Sequence, residues 1–221
     1  GQILAGVMRA LNIQSLTTCN YALREGVIID RLQKLEIALH PPVSDLKDPR
    51  LLGVLALGKR FGYEKANALQ VARLSEMIFD AVAPKYNLSA SLRGLLSAAA
   101  ILHDIGYYIA HENHHKHSQY LIKYSELTGF SEEERDIIGN LTRYHRGSLP
   151  KEKHLEFNIL SPLTQEIIWK LGGILRLADA LDRSYDNRVE NLICRAENGK
   201  FYLKLKGERR FEREILAATQ N

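Results

Sequence analysis

A mainly helical bundle, preceded by a small α/β piece and followed by a short β-hairpin, is the fold that this sequence predicts. Three observations carry the prediction. Apolar residues recur at helical spacing through most of residues 51–188. "LHPPVSDLKDPR", residues 39–50, holds three prolines and no helical period, so it separates the first forty residues from the rest. "LICRAENGKFYLKLKG" places Asn198–Gly199 between two alternating runs, the signal of a two-residue hairpin.

Taken in order, "ILAGVMRALNI" reads as a helix, "QSLTTC" as a short strand and "NYALREGVIIDRL" as a second helix. So small a unit cannot bury its own apolar faces. Residues 1–37 therefore read as the tail of a larger domain, in a truncated chain that starts at Gly1 without methionine. Residues 38–50 form the linker, 51–188 the helical domain and 189–221 the hairpin extension. Within the bundle, Val71, Leu74 and Ile78 share one helix face, as do Leu92, Leu95, Ala99 and Leu102. Gly106 is expected to cap the second of these helices. Ser131 and Glu134 form a capping box ahead of "EEERDIIGNLTRYH". Ser161–Pro162 supplies an N-cap and a first-turn proline for the run from Leu163 to Arg183.

Composition bounds the function. Of 221 residues, 45% are hydrophobic and 25% charged, which fits a globular protein with a substantial core. The apolar stretch 95–102 is too short to span a bilayer. Cys19 and Cys194 are isolated, which argues against a disulfide framework and for a reducing, cytoplasmic setting. The net charge of +4 permits a polyanionic partner. Acidic residues interleave with the basic ones and no aromatic-and-basic stacking motif is present, so no nucleic-acid partner is expected.

The chemistry concentrates in "ILHDIGYYIAHENHHKHSQY", which carries five of the eight histidines, from His103 to His117. Asn67 and His145 fall on inward helix faces. His103 and Asp104 stand where a helix stops, and Asp179 and Asp182 lie on a helix apolar almost all round. Buried carboxylates are costly unless paired, hydrogen-bonded or metal-bound. These groups call for a common partner, and imidazole with carboxylate suits a divalent ion. Two plainer arrangements stay open: His145 bonded to a backbone carbonyl, and Asp179 paired with Arg143, Arg146 or Arg176.

"LLSAAAILHDIG", "HHKHSQYLI", "GFSEEE" and "RYHRG", in this order, resemble the C-terminal HD-type helical domain of exopolyphosphatases and guanosine pentaphosphate phosphatases. "ILAGVMRALNIQSLTTCNYALREGVIIDRL" resembles the end of the actin-like (ribonuclease H-like) domain of that family. The resemblance implies a phosphohydrolase that releases terminal phosphate from inorganic polyphosphate or guanosine pentaphosphate with Mg2+, acting as a homodimer. It places the catalytic carboxylate upstream of Gly1, so no catalytic residue is expected in this chain, which alone should be inactive. For the chain it implies a role in guiding the polyanion and in dimerisation. The HD-type pattern selects His103, Asp104 and Asp179, with Asn67 where an early histidine would stand. An amide oxygen is a poorer ligand than imidazole, so weak or absent metal binding is expected. The helix wheel, by contrast, sets Asp182 nearer the apolar centre than Asp179. A polyphosphate surface is expected from His114, His115, Lys116, His117, Arg143, His145 and Arg146, with Lys151 nearby. The rival readings are an independent HD-type nucleotide phosphohydrolase using His103, Asp104 and Asp179, and a structural dimerisation module.

Overall fold

The computed structural model describes residues 8–10, 12, 48–197 and 200–220. The chain divides into two compact units, residues 1–47 and 48–221. The expected α/β piece at 1–37 apart from residues 8–10 and 12, most of the linker, and the Asn198–Gly199 turn lie outside the described residues.

The elements of the second unit are α1 (Pro49–Arg60), α2 (Lys65–Tyr86), α3 (Ser91–Leu102), a 3-10 turn η1 (Ile105–Tyr108), α4 (His114–Tyr124), α5 (Glu132–Tyr144), α6 (Leu155–Asn158), α7 (Pro162–Ala180), β1 (Asn191–Glu197), β2 (Lys200–Lys206) and α8 (Glu212–Gln220). The unit is mainly helical with one two-stranded sheet, as the periodicity predicts.

Local sequence explains the boundaries. Asp48 accepts from the Arg50 amide and opens α1, whose first residue is proline, so the helix starts inside the expected linker. Asn87 ends α2 in the left-handed conformation, φ 51°, which asparagine tolerates better than most side chains. The predicted capping box forms at α5: Ser131 accepts from the Glu134 amide and Glu134 from the Ser131 amide. Ser161 likewise caps α7, with Pro162 following.

Gly106 does something other than cap a helix. It lies within η1, its amide donates to Ser118 Oγ at 2.9 Å, and a Cβ there would run into the His114 carbonyl. Close approach of η1 to α4 is what requires glycine.

The core forms around α3, whose residues 95–96 and 98–102 are all buried. Three consecutive alanines let α2, α5 and α7 approach it. Val71, Leu74 and Ile78 from α2 meet Ile138 and Leu141 from α5 and Leu171 and Leu175 from α7. The strands pair antiparallel from Asn191↔Lys206 to Glu197↔Lys200, and β1 lies against α2. Val189 and Leu192 join the same core, so the hairpin is packed onto the bundle. Among the described residues, no helix is long and apolar enough to cross a membrane.

Candidate metal centre

Two helices end at the same place in space, and each ends in a histidine. His103 caps α3 and its Nδ1 lies 2.7 Å from the Ala100 carbonyl; His145 caps α5 and its Nδ1 lies 2.7 Å from the Thr142 carbonyl. Last-turn carbonyls have no partner within their own helix, so each imidazole satisfies one. His114, at the start of α4, makes the same kind of contact to the His111 carbonyl at 3.1 Å. A carbonyl only accepts, so all three Nδ1 atoms carry hydrogen. In the neutral rings the Nε2 atoms therefore present lone pairs.

All three Nε2 atoms face Asp104. Its Oδ1 lies 3.2 Å from His114 Nε2 and 3.5 Å from His145 Nε2, and its Oδ2 lies 3.3 Å from His103 Nε2. Asp179, from the last turn of α7, brings Oδ1 to 3.5 Å from His103 Nε2. The donor atoms of His103, Asp104 and His145 lie within 4.8 Å of one another. His103 Nε2, His114 Nε2 and Asp104 Oδ1 are buried and lack a hydrogen-bond partner.

Lone pairs facing a carboxylate are unfavourable unless positive charge stands between them. One proton supplies part of it. Burial works against a charged His103, but Asp104 and Asp179 outweigh burial and hold its pKa well above the ordinary value. Burial likewise pushes Asp104 up, and the His103 charge with the three facing imidazoles holds it well below the carboxylate range. A proton on His103 still leaves His114 and His145 aimed at an oxygen without hydrogen-bonding to it. A divalent cation among His103, Asp104 and His145, whose donor atoms lie within 4.8 Å of one another, would resolve their contacts together. Two ligand atoms each ~2.1 Å from one ion stand about 3.0–3.4 Å apart, close to the spacings here. The donor set fits: neutral imidazoles fixed through Nδ1, plus carboxylates.

Tyr185 closes one side of the cluster. Its phenol donates to Asp104 Oδ2 at 3.3 Å, and its φ of 55° is rare for a bulky side chain. Burial and then the neighbouring carboxylates raise its pKa, so the phenol keeps its proton. Tyr107 stacks on the His114 ring at 4.2 Å between centroids.

The expected sites are redistributed by this geometry. His103, Asp104 and Asp179 come together. Asn67 is placed otherwise: it is buried, and its Nδ2 donates to Asp182 Oδ2 at 2.9 Å. The other Asp182 oxygen accepts from the Asn187 amide at 3.1 Å. Asp179 thus faces the histidines and Asp182 faces Asn67, so both carboxylates point inward. His114 and His145, expected on a polyanion surface, are 5% and 2% exposed and belong to the cluster instead. Their part in it was obscured in the sequence because His114 stands among four other histidines. His145 carried a usable signal in its inward helical spacing.

The remaining expected cations divide. Arg146 lines a cleft of about 720 Å³ beside Asp104, together with Tyr107, Arg183 and Tyr185. Arg143 lies over the Tyr144 ring at 5.4 Å, near His115. Burial and then the Arg143 charge push His115 down to about 4. His154, whose pKa is also lowered, by desolvation and then by neighbouring cations, feels Arg143, Lys153, Lys151 and Lys116. His117 is partly exposed on α4.

Two comparisons bear on this arrangement. The family model described as Ppx/GppA phosphatase, domain III, matches residues 50–219. A guanosine-5'-triphosphate,3'-diphosphate pyrophosphatase from Pseudoalteromonas translucida (strain TAC 125) is 31% identical over 168 residues, which is 75% of this chain and 32% of the relative. The chain spans about a third of the length of that relative. With the match running from the first turn of α1 to the end of α8, the chain belongs to the Ppx/GppA phosphatase family, as its domain III.

Proposed function

We propose that this chain is the C-terminal part of a phosphoanhydride hydrolase acting on guanosine pentaphosphate or inorganic polyphosphate, and that its own helical domain is a divalent-cation centre. The convergence of three Nδ1-pinned imidazoles on Asp104 carries the second half of this reading. His103, Asp104 and His145 are the proposed ligands, with His114 against Asp104 and Asp179 against His103 beside them. A mixed nitrogen and oxygen set suits Mn2+, Fe2+, Co2+ or Zn2+ better than Mg2+. Mg2+ remains the proposed cofactor of phosphate release in the full-length enzyme.

A divalent ion held here by His103, Asp104 and His145 would supply Lewis-acid chemistry toward a phosphoryl oxygen or a water. The chain's own residues do the rest. The carbonyls of Ala100, His111 and Thr142 fix the three rings, and Tyr185 steadies Asp104 from the cleft side. The reading as an HD-type metal centre draws support from this geometry in spite of Asn67.

The role in guiding a polyanion draws support from Lys116, Arg143, Lys151 and Lys153, whose charges all act on His154. The proposed homodimer draws support from Leu155, Ile159 and Leu163, which recur every four residues and are 74%, 75% and 68% exposed.

Elemental analysis of the purified chain, dialysed against each metal in turn, tests the centre. The expected result is about one ion per chain in the unmodified protein and at least about a tenfold loss of affinity in His103→Ala and His145→Ala. Metal at background for every ion, or binding unchanged in both variants, overturns it.

A further inference from the structure

The cleft that opens beside Asp104 has a composition of its own. Its walls come from three places: the turn after α1 (Gly62, Tyr63, Glu64), η1 with its following loop (Tyr107, His111), and the segments after α5 and α7 (Arg146, Arg183, Tyr185). At about 720 Å³ it falls within the range of small-molecule sites. Arg183 is exposed and Arg146 partly so. Among the described residues neither guanidinium has an ion-pair partner. Both stand on a cleft whose floor includes the central carboxylate of the cluster.

We propose that this cleft binds a nucleoside phosphate, with its phosphate held by Arg146 and Arg183 beside the cation centre and its base against the tyrosine walls. The inference rests on the cation centre for part of the phosphate's charge balance, because Asp104 alone would repel it.

Two features favour a nucleoside phosphate over an inorganic chain. A polyanion filling the cleft would run past the exposed Glu64 as well as Asp104, and like charges repel. A nucleoside phosphate carries its negative charge at one end only. Glu64 Oε2 is already engaged, accepting from the Asn67 amide at 2.7 Å, which leaves a second oxygen as acceptor for a hydroxyl or ring amino group. The phenols of Tyr63, Tyr107 and Tyr185 offer flat apolar area with polar tips, the combination that accepts a base. Guanidinium groups suit a phosphate by forked hydrogen bonding.

The probe is guanosine 5'-monophosphate, titrated by calorimetry into the Mn2+-dialysed chain, with manganese content measured on the same sample. Guanosine and ribose 5-phosphate report the two halves of the ligand, and tripolyphosphate reports an inorganic chain. The nucleotide should bind, and Arg146→Ala and Arg183→Ala should each weaken it by about tenfold or more. Guanosine and ribose 5-phosphate should each bind at least about tenfold more weakly than the nucleotide.

Failure of the nucleotide to bind a chain that holds manganese overturns the cleft and leaves the cation centre standing. Binding that is unchanged in both arginine variants overturns it as well. Tripolyphosphate binding tighter than the nucleotide, with the same arginine dependence, overturns the nucleoside assignment in favour of an inorganic chain. Arginine-dependent nucleotide binding without manganese supports the cleft and removes manganese as the ion of the centre. Absence of both overturns the cleft and removes manganese likewise.

Discussion

Asn67 Nδ2 donates to Asp182 Oδ2 at 2.9 Å, across 115 positions of sequence. This single bond decides what Asn67 does. An amide committed to a buried carboxylate is a structural partner for it. Among the described residues, the carboxylate of the fully buried Asp182 otherwise accepts only from the Asn187 amide. Asn67→Ala should therefore destabilise the protein by about 2 kcal/mol, since a buried acceptor loses one of two donors. Metal content should stay the same, because the proposed ligands are elsewhere. Thermal denaturation and elemental analysis on one preparation check both halves.

The same pair gives a pH dependence. Burial pushes the Asp182 carboxyl up to about 6, against the bonds from Asn67 and Asn187, which favour its charged form. The folded state thus binds a proton at a higher pH than the unfolded chain does. Across about pH 4 to 6 this group makes stability fall as pH rises, and its full cost is present above 6. His115 acts oppositely. Its pKa is pushed down to about 4, so its cost appears as pH falls below the unfolded value of about 6.5. The difference between wild type and Asp182→Asn isolates the carboxyl. In EDTA, the variant should gain on the order of 1–2 kcal/mol relative to wild type between pH 4 and 7, read by urea denaturation. A constant difference across that range would remove Asp182 as the titrating group.

Gly106 holds η1 against α4. Its missing Cβ leaves room for the His114 carbonyl, and its amide binds Ser118 Oγ, which in turn donates to the His103 carbonyl at 2.7 Å. One glycine thus connects two of the three histidines. Gly106→Ala should cost about 1–3 kcal/mol, as overpacking of a tight contact does. It should also weaken metal binding, whereas Gly94→Ala, at a glycine with open space beside it, should leave metal binding unchanged. Chemical denaturation and metal titration of the two variants separate these effects.

Much of the bundle was legible because its signals are local. Periodicity, the Ser131–Glu134 box and the Ser161–Pro162 start need no knowledge of distant residues, and the structure contains each of them. The site was only half legible, because its parts meet across long separations. His103 and Asp104 announce themselves by adjacency. The role of His145 depends on α5 ending beside α3, a fact of packing that its helical spacing hints at without placing. The helical wheel favours Asp182, which is the more deeply buried, but a wheel does not tell which carboxylate meets the histidines. The last turn of α7 and the residues just beyond it turn one carboxylate to His103 and the other to Asn67. Gly106 was misread for a similar reason: a glycine after a helix suggests a cap, and the nearby α4 backbone is invisible in the sequence.

Lys116 and Arg143 provide the last prediction. They come from neighbouring helices, and their charges act together on His115 and His154. A polyanion that crosses this surface should contact several cations at once and release its counterions, so its affinity should fall steeply with salt. Removing one contact should flatten that dependence by about one unit of log–log slope, by analogy with nucleic-acid polyanions. Each loss should weaken binding by about 1 kcal/mol. Arg146 lies on the cleft instead, so Arg146→Ala should leave the slope for long-chain polyphosphate close to wild type while Lys116→Ala and Arg143→Ala reduce it. Titrations of labelled polyphosphate at several salt concentrations distinguish the two surfaces, and wild-type slopes in Lys116→Ala and Arg143→Ala would mean that α4 and α5 carry only solvated charge.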